Sequence, residues 1–220
     1  MIREAAHKFG RFLGLNIYDI TRPITPQLAG WPGDTQYSAK EMMRIQDGHS
    51  VNLSTLTLSA HLGTHVDAPY HFEADGMKMN DVDLSAYVGP STVVDFRDVD
   101  GALTPEHLGR VDLDKAERLL IHTKYSLVAD DQWYSDFVYP TPEAAQLMVD
   151  HGIKLFGTDS PSVDPETDKL IRTHKTFGRG NIYILEGLQL TDVPAGEYEL
   201  TALPLKLDGD GSPVRAILRG

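Results

Sequence analysis

The chain has no cysteine among its 220 residues. That excludes disulfides, thiolate metal ligands and a cysteine nucleophile together, and it suits a reducing cytoplasm. Any metal must be held by imidazole and carboxylate. Positive charge is scarce as well: 20 Lys and Arg face 32 Asp and Glu, for a formal charge of −12. With no basic stripe to reverse that locally, the chain repels a phosphate backbone, and a nucleic-acid partner is not expected. No apolar run approaches the length needed to cross a bilayer, so a soluble, cytoplasmic protein without membrane attachment is expected. Internal repeats, low-complexity tracts and long linkers are missing too, and Pro and Gly are spread as turn punctuation. Residues 1–220 therefore read as one domain, long enough to bury its own core.

The N-terminus is amphipathic. Ile2, Ala5, Phe9, Phe12 and Leu13 recur at helical spacing between Arg3, Lys8 and Arg11. Glu4 and the lack of a continuous apolar core favour a helix over 1–14, packed on the domain or on a second subunit, over a targeting peptide. Strands are expected at Asn16–Thr21, at Val51–Ala60 with a bulge near Thr55, at Val93–Phe96, Leu119–Thr123, Ile153–Gly157 and Ile182–Leu185. Two more, Glu197–Leu207 and Val214–Leu218, flank Asp208-Gly209-Asp210-Gly211, a hairpin turn signal. Thr141–Asp150 reads as a helix with Thr141 as cap, Pro142 in its first turn and Gly152 past its end. A second, short helix is expected over Asp168–Thr176. The sum is a mixed α/β domain with a largely β core flanked by helices, of unspecified strand order.

Chemistry concentrates in one place. Of nine histidines, three fall in His61–His71, HLGTHVDAPYH. His61 and His65 are four apart, so one helical turn or a tight loop can aim both imidazoles at one point. Gly63 permits a sharp backbone turn, Asp67 adds a hard oxygen ligand able to bridge two ions, and Pro69 fixes where His71 projects. A surface cluster or a satisfied core histidine is the bland alternative. A bare HxxxH would not exceed it, but this longer pattern combines ligands with residues that have backbone roles. Such a set suits Zn²⁺, Mn²⁺, Fe²⁺ or Ni²⁺.

This segment resembles the signature of the metal-dependent cyclase family, which includes the bacterial kynurenine formamidases. The resemblance extends over nearly the whole chain: WPGDT at Trp31–Thr35, DSPSVDP at Asp159–Pro165, ILEGL at Ile184–Leu188, GEYELTALPLKL at Gly196–Leu207 and SPVRAILR at Ser212–Arg219. It implies a swivelling β/β/α fold. It also implies one zinc on His61, His65 and Asp67, and a second on Asp67, His174 and Glu186, with His71 transferring protons and Trp31 lining the substrate pocket. Without the family register, His174 would pass for a helix residue and Glu186 for a strand-end carboxylate.

The implied reaction is hydrolysis of N-formyl-L-kynurenine to L-kynurenine and formate in tryptophan catabolism, by a homodimer or higher homo-oligomer contacting through the N-terminus or the C-terminal strands. Two departures, Tyr70 and the stretch Glu73–Asp83, are expected to reshape the pocket. They leave a cyclic-amide or lactone hydrolase of the isatin-cleaving kind, with one bound metal, as the second reading; manganese, used by some relatives, is the alternative metal. A non-catalytic metal-binding protein is the third, and His71 beside the ligands argues against it. Asp34, Asp159 and Asp164 are read as orienting groups or turn residues. The other histidines (His7, His49, His107, His122, His151) are read as structural or exposed.

Overall fold

In the computed structural model, which describes residues 16–220, the chain runs through β1 (Ile17–Asp19), β2 (Ser38–Met43), β3 (Leu53–Thr57), β4 (His65–Asp67), β5 (Val88–Asp95) and β6 (Ala102–Leu103). Then come α1 (Pro105–Leu108), β7 (Arg118–His122), β8 (Tyr139–Pro140), α2 (Pro142–Asp150), β9 (Leu155–Thr158), α3 (Arg172–Arg179) and β10 (Tyr183–Glu186). β11 (Gly196–Thr201), β12 (Gly211–Pro213) and β13 (Ile217–Arg219) finish it.

Among the described residues, nine strands form one curled sheet in the order β1-β13-β11-β5-β7-β9-β10-β4-β12. Its centre, β5-β7-β9-β10, is parallel and its flanks are antiparallel. β7 and β9 are buried at every position, as parallel strands covered on both faces must be. Their side chains alternate between two cores, because successive residues of a strand point to opposite faces. Leu119, Ile121, Phe156 and Ile184 join Ala144, Ala145 and Met148 of α2 and Phe177 of α3 on one face. Val93, Leu120, Leu155 and Leu185 face Tyr87, Leu188, Leu200 and Leu218 on the other. The expected mixed α/β class with a β core and flanking helices is what the chain forms.

Local chemistry explains the agreements and the shifts. Thr141 caps α2 by accepting from Ala144 N at 3.2 Å, and Gly152 past its end takes φ of 73°. The second helix starts at Arg172 rather than Asp168. Its first amides, Thr173 N and His174 N, donate to the Asp164 carboxylate at 2.9 and 3.0 Å, so a distant residue does the capping. The segments flanking Asp208–Gly211 do pair antiparallel, β11 with β13 and Pro204 with Val214, but the turn itself leads into β12, which docks on the edge of β4. The expected bulge lies in β2, between Glu41 and Met43, and β3 is regular. The helix expected over 1–14 falls outside the described residues.

Candidate metal centre and substrate cavity

β4 sits between β10 and β12, and its two-residue period puts His65 and Asp67 on one face. The register sets His65 opposite Glu186 of β10, and His65 Nε2 lies 3.2 Å from Glu186 Oε2. The approach of the loop before β4 to the end of β10 needs two glycines. Gly63 and Gly187 have φ of 72° and 66°, and a Cβ on Gly187 would sit 2.1 Å from Gly63 O. Thr64 seals this crossing by donating from Oγ1 to Gly187 O at 2.6 Å. His61 therefore comes from a loop and His65 from a strand, not from one helical turn.

The expected residues converge. His61 Nδ1 is 2.9 Å and His65 Nε2 3.5 Å from Asp67 Oδ1. From α3, His174 Nε2 approaches Asp67 Oδ2 at 3.4 Å and Glu186 Oε1 at 3.8 Å. His71, in the 3₁₀ turn Pro69–His71, stacks beside His61 with ring centroids 4.1 Å apart. Donor atoms group as His61, Asp67 and His71, and as His65, Asp67 and Glu186, each group within 4.8 Å. Asp67 belongs to both groups. Its Oδ2 is buried without a hydrogen-bond partner, an expensive arrangement for a carboxylate unless a cation completes it. The donor set fits a borderline divalent metal.

Electrostatics reinforce the cluster. Burial alone would lower His65 and His174, but the nearby carboxylates of Asp67 and Glu186 raise the first to about 10, and those of Asp164, Asp67 and Glu186 raise the second to about 10. Burial opposes the charge on Asp67 as well, yet His174, His61 and His65 hold it well below its usual value. His71 goes the other way: burial is the main cause that lowers it, with the neighbouring His61 and His174 adding to the fall and Asp67 and Glu186 opposing it.

Two aspartates orient imidazoles. Asp164 Oδ2 binds His174 Nδ1 at 2.7 Å. Asp210 Oδ2 lies 3.1 Å from His61 Nε2 and 3.4 Å from His71 Nδ1. The sequence reading missed Asp210, which looks like a turn residue until β12 docks beside β4. Asp159 serves elsewhere, accepting from the backbone and hydroxyls of Thr123 and Ser126 at 2.7–3.0 Å. Asp34 accepts from Thr35 N at the cavity wall. Of the remaining described histidines, His107 accepts from Thr104 N at the start of α1, His151 pairs with Asp114, His122 is buried and His49 exposed.

All these imidazoles except those structural ones open into a cavity of about 380 Å³, within the usual range for small-molecule sites. Trp31 lines it, as does Trp133, edge-to-face with Trp31 at 5.1 Å. Trp133 had no motif to announce it. Arg22 also lines the wall and is buried, its guanidinium held by Asp130 Oδ1 at 2.8 Å and Tyr125 O at 3.0 Å. Neither expected departure reaches the cavity wall. Tyr70 is exposed beneath Lys78, 5.3 Å from its ring centroid, and none of Glu73–Asp83 lines the cavity.

Residues 18–165 match the family described as "Putative cyclase". The chain belongs to this family. A relative, the kynurenine formamidase of Salinibacter ruber (strain DSM 13855 / M31), is 43% identical over 205 residues, 92% of this chain and 97% of that protein. Among solved cyclase-type structures, a predicted metal-dependent hydrolase from Bacillus stearothermophilus superposes with a TM-score of 0.81 at 29% identity, covering 93% of this chain and 98% of that one. Isatin hydrolase A from Labrenzia aggregata, bound to benzyl benzoate, matches in fold with a TM-score of 0.81 at 24% identity, covering 93% of each chain.

Proposed function

We propose that this protein hydrolyses N-formyl-L-kynurenine to L-kynurenine and formate, a step of tryptophan catabolism, using zinc at two ions per chain with manganese as the competing metal. It is a metal-dependent hydrolase acting on a C–N bond other than a peptide bond, in line with its 43% identical formamidase relative. The observation that carries the reading is Asp67, a buried carboxylate with one unpartnered oxygen that faces His61, His65 and His174 at the end of an aromatic-walled cavity. His61, His65 and Asp67 would hold one ion, and Asp67, His174 and Glu186 the other. No helix among the described residues is long and apolar enough to cross a membrane, and the cysteine-free chain suits the cytoplasm. A homo-oligomer completes the reading.

When bound, the metal supplies Lewis acidity for the formyl oxygen and lowers the pKa of water from about 15.7 towards about 7. The chain's own groups do the rest. Asp164 occupies His174 Nδ1, and Gly63 O faces His65 Nδ1 at 3.1 Å, so both rings present Nε2 to the carboxylates. His71 Nδ1 faces Asp210, which leaves Nε2 free towards substrate. Held below its ordinary value, that ring is neutral at pH 7 and can take a proton before giving it up. As water adds to the formyl carbon and the C–N bond breaks, His71 Nε2 delivers the proton to the departing aryl amine. Trp31 and Trp133 give the arene flat apolar walls.

The test is turnover of N-formyl-L-kynurenine by protein as purified, after chelation, and after zinc or manganese is restored, with metal counted per chain. Activity lost to chelator and regained with zinc at two ions supports the reading. A fully loaded protein without turnover refutes the kynurenine assignment and directs attention to isatin-type cyclic amides.

A further inference from the structure

The cavity wall carries charges that the metal cluster does not use. Six carboxylates line it: Asp34, Asp130, Asp164, Glu166, Asp168 and Glu186. Four of them meet a cationic side chain: Asp130 pairs with Arg22, Asp164 with His174, Asp168 with Arg172 and Glu186 with His65. Among the described residues Asp34 and Glu166 meet none, and Asp34 accepts from Thr35 N instead. Apart from the imidazoles, the cations on the wall are Arg22 and Lys169. Arg22 is occupied by Asp130, by Tyr125 O and by the Tyr125 ring, 5.6 Å from its guanidinium. Lys169 meets no carboxylate among the described residues; its Nζ donates to the main-chain oxygen of Glu166 at 2.9 Å. One turn of chain therefore presents an unpaired cation and an unpaired anion to the same cavity.

That turn is held in place. Asp168 N donates to Pro165 O at 2.8 Å, and the Asp168 carboxylate accepts from Leu170 N at 2.9 Å and Arg172 Nε at 2.8 Å. Ile171, also on the wall, takes φ of 45° and ψ of 55° where the turn enters α3. A left-handed conformation is an outlier for a β-branched residue, and such residues gather where a site imposes its backbone. The stretch 164–174 thus sends His174 to the metal cluster and Glu166 and Lys169 to the wall. We propose that Lys169 and Glu166 form the subsite for the α-amino-acid head of the substrate, with Lys169 Nζ donating to the α-carboxylate and the Glu166 carboxylate accepting from the α-ammonium. The proposal rests on the formamidase reading and says how the enzyme tells N-formyl-L-kynurenine from a bare aryl formamide. The head is a zwitterion, and opposite charges on one turn complement it without a net charge. Of the three donors of Lys169 Nζ, the bond to Glu166 O uses one. An exposed lysine is ordinarily a weak partner, because ordering its side chain costs about what the contact returns. Lys169 is exposed, but that bond supplies much of the ordering before substrate arrives.

The experiment compares N-formyl-L-kynurenine with ortho-formamidoacetophenone, which keeps the aryl ketone and the formamide and lacks the head, on the metal-loaded full chain. Lys169→Met should raise KM for the first about 10–100-fold with little change in kcat, the worth of one hydrogen bond between charged groups. The penalty should largely vanish with the second substrate. Lys169→Arg, which keeps the charge, should recover most of the loss, and Glu166→Gln should show the same selectivity as Lys169→Met. Because Lys169 is exposed, its variants should keep their metal content and circular dichroism. L-kynurenine retains both head charges, so its calorimetric affinity should fall in parallel, a readout free of turnover. Wild-type protein inactive on both formamides overturns the formamidase reading and the subsite with it. Wild-type turnover beside a Lys169→Met chain that loses equally on both substrates, or that binds L-kynurenine as tightly as wild type, overturns the subsite alone.

Discussion

Loading metal into the metal-free protein at pH 7.5 should release about two protons per chain. An ordinary imidazole titrates near 6.5 and is mostly neutral at that pH, so an unperturbed ligand set would release almost nothing beyond the one proton of a metal-bound water. Here Asp67 and Glu186 hold His65 at about 10, and Asp164 and Asp67 hold His174 at about 10. Both rings stay protonated at pH 7.5 and must lose that proton to ligate. His61 is raised too, by Asp67 against its burial, and adds to the release. Two linked protons make apparent affinity climb about 100-fold per pH unit between about pH 7 and 9, or about 2.7 kcal/mol per unit. Calorimetric titration of zinc in buffers of different ionisation enthalpy reads the proton number as a slope. A slope of one proton or less would refute the reasoning, because a metal-bound water alone accounts for that and the carboxylates would not be holding the imidazoles charged. The same pairs set the pH dependence of the metal-free fold. Both folded values lie above 6.5, so their stabilisation is complete below pH 6.5 and disappears as pH rises through about 10.

Asp67→Ala should lose metal from both positions, measured by atomic absorption, whereas His71→Ala should keep its metal and lose about 10²–10⁴ in kcat; a His71→Ala chain of unchanged rate removes the proton-transfer role. Trp133→Ala should lower kcat/KM for aryl formamides by about tenfold, the worth of one aromatic contact of about 1–1.5 kcal/mol, and leave a small alkyl formamide unaffected. Equal losses on both substrates would assign Trp133 to scaffolding. Gly187→Ala should destabilise the fold by about 1–3 kcal/mol in denaturant titration, since its Cβ would strike Gly63 O and φ is positive; wild-type stability would mean that the crossing has room to relax.

How much of this was legible in the sequence depends on the range of the interactions. The His61–His71 cluster is local, and its glycine and proline advertise a shaped backbone. The central strands were visible because both their faces are buried by the chain itself. Glu186 was not legible from pattern alone, because its meaning comes from a β4–β10 register that no local period encodes. The start of α3 was misplaced for a related reason: the carboxylate that caps it, Asp164, stands before the loop rather than at the helix end. Asp210 carries an ordinary turn signal and gains a role only when β12 lies beside β4. β2 was missed on different grounds. Apolar periodicity records the faces a chain buries against itself, and SAKEMM buries none. VNLSTLTLSA did show alternation, yet β3 is exposed throughout among the described residues, so here alternation marks a strand without marking a buried face.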